Sequence, residues 1–550
     1  MTRKRTLWIA IAAAVLTAGF VVAASGVSEK ALVRVDKRDL MRLPEEALAG
    51  LQGLQELESS WIILASESDL AEFGARRIPA EILDARPGGK AHFLVFSRSA
   101  EDMARLYAHG EVRPLEGGAV LFWSGGNEAR EILPAEFSLK RISTEDRFPV
   151  TRPGRASRTP RPLEVFRPGG EAADLIPQMV GLVSKANLTK NIQDLQNFQT
   201  RYASTQACEN AGTSLYQFFS SLSNLQTSYV PFTYSGNRTT RNIVAVLPGK
   251  SSASRSVILC AHYDSYSNQA STNAPGADDN ASGTSAVMEI ARVLSSYAFD
   301  FTLKFICFSA EEWGLYGSKD YAQKAKAAGE TILGVINMDM IGYEDRAPED
   351  VDVIVNSASE WLGDRYISAA QRYAPLPTLK IINGNFRGSD HSPFWDQGYT
   401  ALCGIEDAGV PNPYYHKTTD TLSTLNMDFA TAVAKASLAL AAELAQPVAT
   451  LPAPSGLQAR SQVLSSLFSS VKTVFLTWQS TSSQAVGYNV YRSSNRTSYE
   501  KANASLLTTT AFTDRLRPAG VNAYYVVAAV DAQGRESNFS AEVRDDGNLP

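Results

Sequence analysis

Five histidines occur in the 550-residue chain, His92, His109, His262, His391 and His416, and the last three lie beside unusual acidic clusters. In LCAHYDS, Asp264 follows His262 by two residues. Positions i and i+2 share one side of an extended chain, so Asp264 could accept the second ring N–H of a metal-binding His262. APGADDNASG sets Asp278 and Asp279 just before a predicted helix, where carboxylates serve either as caps or as ligands. KFICFSAEEWGLYGS runs a buried strand into Glu311 and Glu312. Adjacent side chains leave an extended segment in opposed directions, so one carboxylate can bind a metal while the other faces a metal-bound water. Asp339 ends another strand in INMDMIGY, Asp390 and His391 lie in RGSDHSPFWDQG, and His416 lies in NPYYHKTTDTLS.

Taken singly, each motif has an ordinary reading: a solvated histidine after a strand, a capped turn, a pair of surface glutamates. Taken together, His262, Asp279, Glu312, Asp339 and His416 all fall at or after the C-terminal ends of successive predicted strands, where open α/β sheets keep their ligand crevice. Two imidazoles and three carboxylates suit zinc, with cobalt or manganese as substitutes. One catalytic zinc takes about three protein ligands and keeps an open position, so five ligands are accounted for by two metals sharing one carboxylate.

The elements that must position these groups alternate between about 171 and 447. Apolar runs at 257–261, 302–308, 333–337 and 351–355 read as strands, amphipathic segments at 283–297 and 317–328 as helices, and the Ala-rich segment 427–446 as a closing helix. Near-continuous apolar strands separated by helices predict an α/β fold with a mostly parallel central sheet covered on both faces. Residues 28–147 mix short apolar runs with polar helical stretches, an N-terminal α+β unit without a cluster of catalytic residue types. Residues 148–170, rich in Pro and Arg, read as an exposed joint, which makes the front unit propeptide-like, with a permanent interaction domain as the alternative. Residues 453–545 show strands of alternating period divided by Ser, Thr, Asn and Gly, a C-terminal β-sandwich. MTRKR followed by an apolar run ending in Val22-Ala23-Ala24 reads as a signal peptide over 1–25, with an uncleaved N-terminal anchor as the alternative. The body is therefore expected in a secreted, periplasmic or extracellular location.

The order HxD, GADDNASG, SAEEWGLYGS, NMDMIGY and YH before KTTDT resembles the co-catalytic zinc aminopeptidases of metallopeptidase family 28, the bacterial leucyl aminopeptidase type, over roughly 175–445. The resemblance implies a zinc-exopeptidase fold of the phosphorylase/hydrolase-like kind and two Zn2+ per chain. It implies that Asp279 bridges the metals, with His262 and Asp339 completing one and Glu312 and His416 the other. It further implies Glu311 as general base toward a metal-bound water, Asp264 as the partner of His262, a cis peptide at Asp279-Asn280, and Tyr415 as a donor to the oxyanion. The substrate would be the N-terminus of a peptide or protein. Related enzymes include carboxypeptidases and glutaminyl cyclases, and a catalytically dead adhesion or binding protein would be a third reading, against which the intact ligand set argues. Residues around 453–545 resemble a fibronectin type III domain, with Trp478 as the core tryptophan, Tyr488 and Tyr491 in the next strand, and Tyr525 ahead of its VxAVDxxGxES-like end. Asp390 is expected either to hydrogen-bond a catalytic glutamate or to cap a turn. Phe386, Phe394, Trp395 and Tyr399 are candidates for an apolar wall, with core packing the alternative for each.

A formal net charge of −5 offers no electrostatic grip for nucleic acid, which is excluded as a partner, and no oligomeric state is assigned. The four cysteines, Cys208, Cys260, Cys307 and Cys403, are too few for a disulfide scaffold and show no CxxC spacing. Cys260 and Cys307 are expected to act as small hydrophobes inside strands.

Overall fold

The computed structural model describes residues 30–546 except 97–105, 117–118, 125–131, 134–136, 143–147, 151–174, 223, 409–411, 449–450, 466–469, 497, 517–521 and 533. The expected signal peptide, 1–25, and most of the Pro- and Arg-rich joint lie outside the described residues.

The sheet that carries the acidic motifs has eight strands: β1 (Gln226–Tyr234), β2 (Arg238–Leu247), β3 (Ser252–His262), β4 (Phe301–Phe308), β5 (Thr331–Met338), β6 (Val351–Val355), β7 (Thr378–Ile382) and β8 (Ala401–Ile405), in the order β1-β2-β4-β3-β5-β8-β6-β7. The four neighbours β4, β3, β5 and β8 run parallel, as do β6 and β7. β1 with β2, β2 with β4, and β6 with β8 pair antiparallel. The sheet is therefore mixed, which corrects the expectation of a mostly parallel one. At one edge the reason is local: Ser235, Gly236 and Asn237 all take positive φ and close β1 onto β2 as a hairpin, which needs no crossover helix. Strand β1 is half exposed along its length, so it lacks the continuous apolar run that marks β3, β4 and β5.

Among the described residues, eight α-helices pack around this sheet: α1 (Leu175–Gly181), α2 (Lys185–Gln196), α3 (Gln206–Ser220), α4 (Gly283–Leu294), α5 (Tyr316–Ala327), α6 (Glu360–Tyr373), α7 (His391–Asp396) and α8 (Met427–Ala445). One face is covered by α1 to α4, α6 and α8 through a core that includes Leu259, Phe305, Val287, Leu362 and Leu440. The other is covered by α5 and α7 through Phe308, Ile258, Tyr321, Phe394 and Trp395. Burial on both faces explains the unbroken apolar text of the middle strands. Helix α8 starts where the Asn426 side chain accepts the N–H groups of Asp428 and Phe429, and its alanines let it lie nearly wholly buried. Phe394 and Trp395 are therefore core residues rather than a substrate wall. All four cysteines are buried and free.

Among the described residues the front unit holds two antiparallel sheets, of five and four strands. Phe148–Pro149 pairs with Gln52 and Gly53, and Val150 is buried in that unit's core, so the unit runs past the expected boundary at 147. It docks on the α/β unit through Arg141, whose N–H donates to Gly314 O (3.3 Å) and whose guanidinium lies over the Tyr316 ring. Beside it, Lys140, buried and pulled down to a pKa of about 8 by that burial, pairs with Asp396 (2.5 Å), which Arg387 also binds (2.7 Å). At the other end of the chain, a three-stranded and a four-stranded antiparallel sheet enclose Trp478, Tyr488, Val490, Tyr525 and Val527. Asn538 and Phe539 anchor this unit to Ser295 and Asn224 at the far end of α4. Among the described residues no helix is long and apolar enough to cross a membrane.

Candidate metal centre

Strands β4, β3, β5 and β8 lie side by side and parallel, so their C-terminal ends open onto one crevice. His262 is the last residue of β3, Glu311 and Glu312 follow β4, Asp339 follows β5, and His416 lies in the loop after β8. Asp279 comes from the turn that leads into α4. That turn is made by Gly276 at φ 52, where a Cβ would come within 2.4 Å of Asp279 O, and by a cis peptide at Asp279-Asn280. The Asn280 side chain straps it to β5, donating to Met338 O (2.9 Å) and accepting from Gly283 N (2.9 Å). Gly283 is required there because a Cβ would sit 2.2 Å from Met338 O.

The side chains converge closely. Asp279 Oδ1 is 3.2 Å from His262 Nε2, and its Oδ2 is 3.0 Å from His416 Nε2. Asp339 Oδ1 lies 3.4 Å from the same nitrogen of His262, and Glu312 Oε2 lies 2.9 Å from His416 Nε2. Ligand atoms of His262, Asp279 and Glu312 fall within 4.8 Å of one another, as do those of His262, Glu311 and Asp339. Tyr415 stacks face to face on His416 (ring centroids 3.8 Å apart) and Tyr266 meets the same imidazole edge-on (5.3 Å).

Asp264 and Asp390 make contacts that their positions in the sequence do not specify. His262 Nδ1 is bound by the main-chain oxygen of Asp264 (3.0 Å), and the Asp264 carboxylate is farther away at 3.6 Å. That carboxylate also accepts the N–H groups of Glu311 (3.2 Å) and Glu312 (3.3 Å), so it joins the end of β3 to the loop after β4. Asp390 is fully buried, but it neither caps α7 nor hydrogen-bonds a glutamate. Burial pushes its carboxyl up to about 7, against the pull of nearby His262.

Several supporting residues carry no motif and escape a reading of the sequence. Ser389 Oγ donates to Asp339 Oδ2 (2.5 Å) and is itself bound by Asn337 Nδ2 (2.7 Å). Thr284 Oγ1 donates to His262 O (2.7 Å). Arg201, wholly buried, gathers the carbonyls of Tyr263 (2.7 Å), Pro275 (2.6 Å) and Gly276 (2.8 Å), so one guanidinium knits the His262 loop to the Asp279 turn. An Arg that serves main-chain oxygens has no acidic neighbour in sequence to announce it.

The electrostatics fit divalent cations. Asp264, Asp279, Glu311, Glu312, Asp339 and Asp390, each at most 8% exposed, crowd around two imidazoles. Buried carboxylates in such excess are costly unless cations compensate them. Burial opposes charge on His262, yet the Glu311 and Asp339 carboxylates hold its pKa well above the ordinary value, and Glu312 with Asp279 lifts His416 to about 9 against the same burial. Asp279 is driven far down, against burial, by both histidines, whereas burial with Glu312 and Asp390 nearby raises Glu311 well above the usual carboxylate range. Asp339 Oδ1 is buried and accepts no hydrogen bond, although it points at the nitrogen that Asp279 also approaches. A nitrogen and oxygen donor set of this kind suits zinc.

His391, beside this cluster, has a structural part. It is fully buried against Phe386 and Trp395, its Nε2 lies 2.9 Å from Phe386 O, and burial pulls its pKa down to about 3. An unfolded histidine titrates near 6.5, so between these values the unfolded chain holds a proton that the folded one refuses. The stability it contributes is complete above about pH 6.5 and falls as pH drops toward 3, by about 2 kcal/mol between pH 7 and 5. Urea unfolding of the parent and of His391→Gln at both pH values measures this: the variant should lose about that much of the parent's pH dependence, and equal slopes would refute the assignment.

Residues 242–441 match Peptidase family M28. A protein named "Probable leucine aminopeptidase" from Arthroderma otae is 30% identical over 286 residues, which cover 50% of this chain and 76% of that protein. "Leucine aminopeptidase 1" of Phaeosphaeria nodorum is 31% identical over 281 residues, 48% of this chain and 71% of the relative. Among solved structures, the LapA aminopeptidase of Legionella pneumophila aligns with a TM-score of 0.49 at 19% identity, covering 76% of this chain and 99% of that one.

Proposed function

This chain belongs to peptidase family M28, and from that premise we propose that it is an exported zinc aminopeptidase that holds two Zn2+ ions and releases the first residue of peptides and proteins. The observation that carries the reading is Asp279: its two oxygens approach the imidazoles of His262 and His416 from between them, as a carboxylate shared by two cations would. His262 and Asp339 would hold one ion, Glu312 and His416 the other, and Asp279 both. When bound, such a pair supplies Lewis acidity to the scissile carbonyl and lowers the pKa of the attacking water.

The chain's own residues do the rest. Glu311 takes the proton of the attacking water and returns it to the departing amine. Asp264, by binding the N–H groups of Glu311 and Glu312 with one carboxylate, keeps the base and its metal-binding neighbour in fixed relation. Tyr415, stacked on His416, donates to the oxyanion. The α-amino group of the substrate faces the acidic side chains, which limits cleavage to the first residue. The front unit, which extends through Val150, acts as a propeptide-like domain, supported by its docking on Gly314 and Tyr316 just after the Glu311-Glu312 pair, and the C-terminal two-sheet unit is a fibronectin type III-like accessory module.

The test is substrate choice with metal control. Amino-acid p-nitroanilides should be hydrolysed, their N-acetylated forms should not, and o-phenanthroline should abolish turnover until zinc is returned. Cleavage of blocked peptides, or cyclisation of an N-terminal glutamine in place of hydrolysis, would overturn the reading.

A further inference from the structure

The two oxygens of Asp279 both point to imidazoles, so keeping its carboxylate between His262 and His416 depends on where the main chain of residue 279 is held. That main chain is held by an unassigned residue, Asp420, buried to 2% exposure four positions after His416. Its Oδ1 accepts the N–H of Asp278 (2.9 Å), its Oδ2 accepts the N–H of Asp279 (3.1 Å), and its own carbonyl accepts the N–H of Ala277 (3.2 Å). Four positions before His416, Asn412 Nδ2 donates to Asp278 Oδ2 (3.0 Å), whose other oxygen accepts Gly342 N (2.8 Å) from the loop after Asp339. Residues 412, 416 and 420 thus grip three consecutive residues, 277 to 279, and a further hydrogen bond reaches the third ligand loop.

We propose that Asp420 is a positioning residue that sets the main chain of Asp279 against His416, so that one carboxylate can serve both cation positions. A carboxylate taking two adjacent N–H groups fixes both the position and the rotation of the peptide between them, which side-chain packing alone would not do. Asparagine at 420 would keep one acceptor and turn an amide N–H toward the second main-chain N–H, loosening that peptide while leaving every ligand in place. This inference rests on the dinuclear reading given above.

The experiment compares zinc affinity, by competition with a chromophoric chelator, in the parent, Asp420→Asn and Glu443→Gln. Glu443 lies on α8, paired with Arg365 and Arg372, and its variant controls for lost stability remote from the site. Asp420→Asn should bind zinc ~10- to 100-fold more weakly than the parent, the range seen when groups that orient metal ligands are removed. The visible bands of its cobalt-substituted form should shift, and Glu443→Gln should keep parental affinity and bands. Asp420→Glu, which retains both acceptors on a longer stem, should recover affinity toward the parent value and carries the test if Asp420→Asn is insoluble. A parent that binds two zinc ions together with an Asp420→Asn of unchanged affinity and spectrum would overturn this inference alone. A parent that binds fewer than two would overturn the dinuclear reading instead.

Discussion

Glu311→Gln is expected to keep the full zinc content of the parent and to lose ~10²- to 10⁴-fold in kcat with little change in KM. The amide has nearly the volume of the carboxylate, and the main-chain N–H of residue 311 would still reach Asp264, so the loop should hold its shape. What is removed is the ability to accept a proton. The zinc measurement gives this prediction its edge, because ligand atoms of Glu311, His262 and Asp339 all lie within 4.8 Å of one another and the geometry by itself would admit Glu311 as a ligand. If it were one, the variant would lose metal along with activity. Retained metal with lost turnover assigns the base, and retained metal with normal turnover removes Glu311 from the reaction.

The same pair shows how far the sequence reaches. Two adjacent glutamates after a buried strand could be recognised because strand text is unambiguous and the side-chain period is fixed. Their support could not. The rule that places Asp264 on the same side as His262 brings its carboxylate to 3.6 Å from Nδ1, but it does not show that the same carboxylate binds the loop after β4 or that the Asp264 carbonyl comes nearer the histidine. Three further loop residues, Ala310, Met340 and His416, have positive φ although none is glycine, and they sit beside Glu311, beside Asp339 and at a proposed ligand itself. Such conformations cost of order 1–3 kcal/mol and are imposed by tertiary contacts, which leave no signature in residue type. The parallel centre of the sheet was legible from its apolar runs, whereas the edge strand β1, half exposed, was not. Arg201 and Asp420 bind main-chain atoms, and main-chain atoms are the same in every sequence.

Asp279→Ala is expected to abolish zinc binding at both positions, leaving less than one ion per chain and lowering kcat/KM by at least ~10³-fold. The count of ligands gives the reason. A catalytic zinc needs about three protein ligands. Without Asp279 the pair His262 and Asp339 and the pair Glu312 and His416 each supply two, so both positions fall short together. His416→Ala leaves His262, Asp279 and Asp339 intact on one side, and should therefore keep about one ion. Metal analysis after gel filtration separates the two variants. Thermal unfolding adds a second readout, since a ligand stabilises only a fold that binds it: added zinc should raise the midpoint of metal-free parent and of His416→Ala, and leave Asp279→Ala unmoved. Equal loss of metal in the two variants would mean that the positions fill cooperatively. Two ions retained in Asp279→Ala would mean that the short approaches of its oxygens to His262 and His416 reflect hydrogen bonding in a protein without a shared cation ligand.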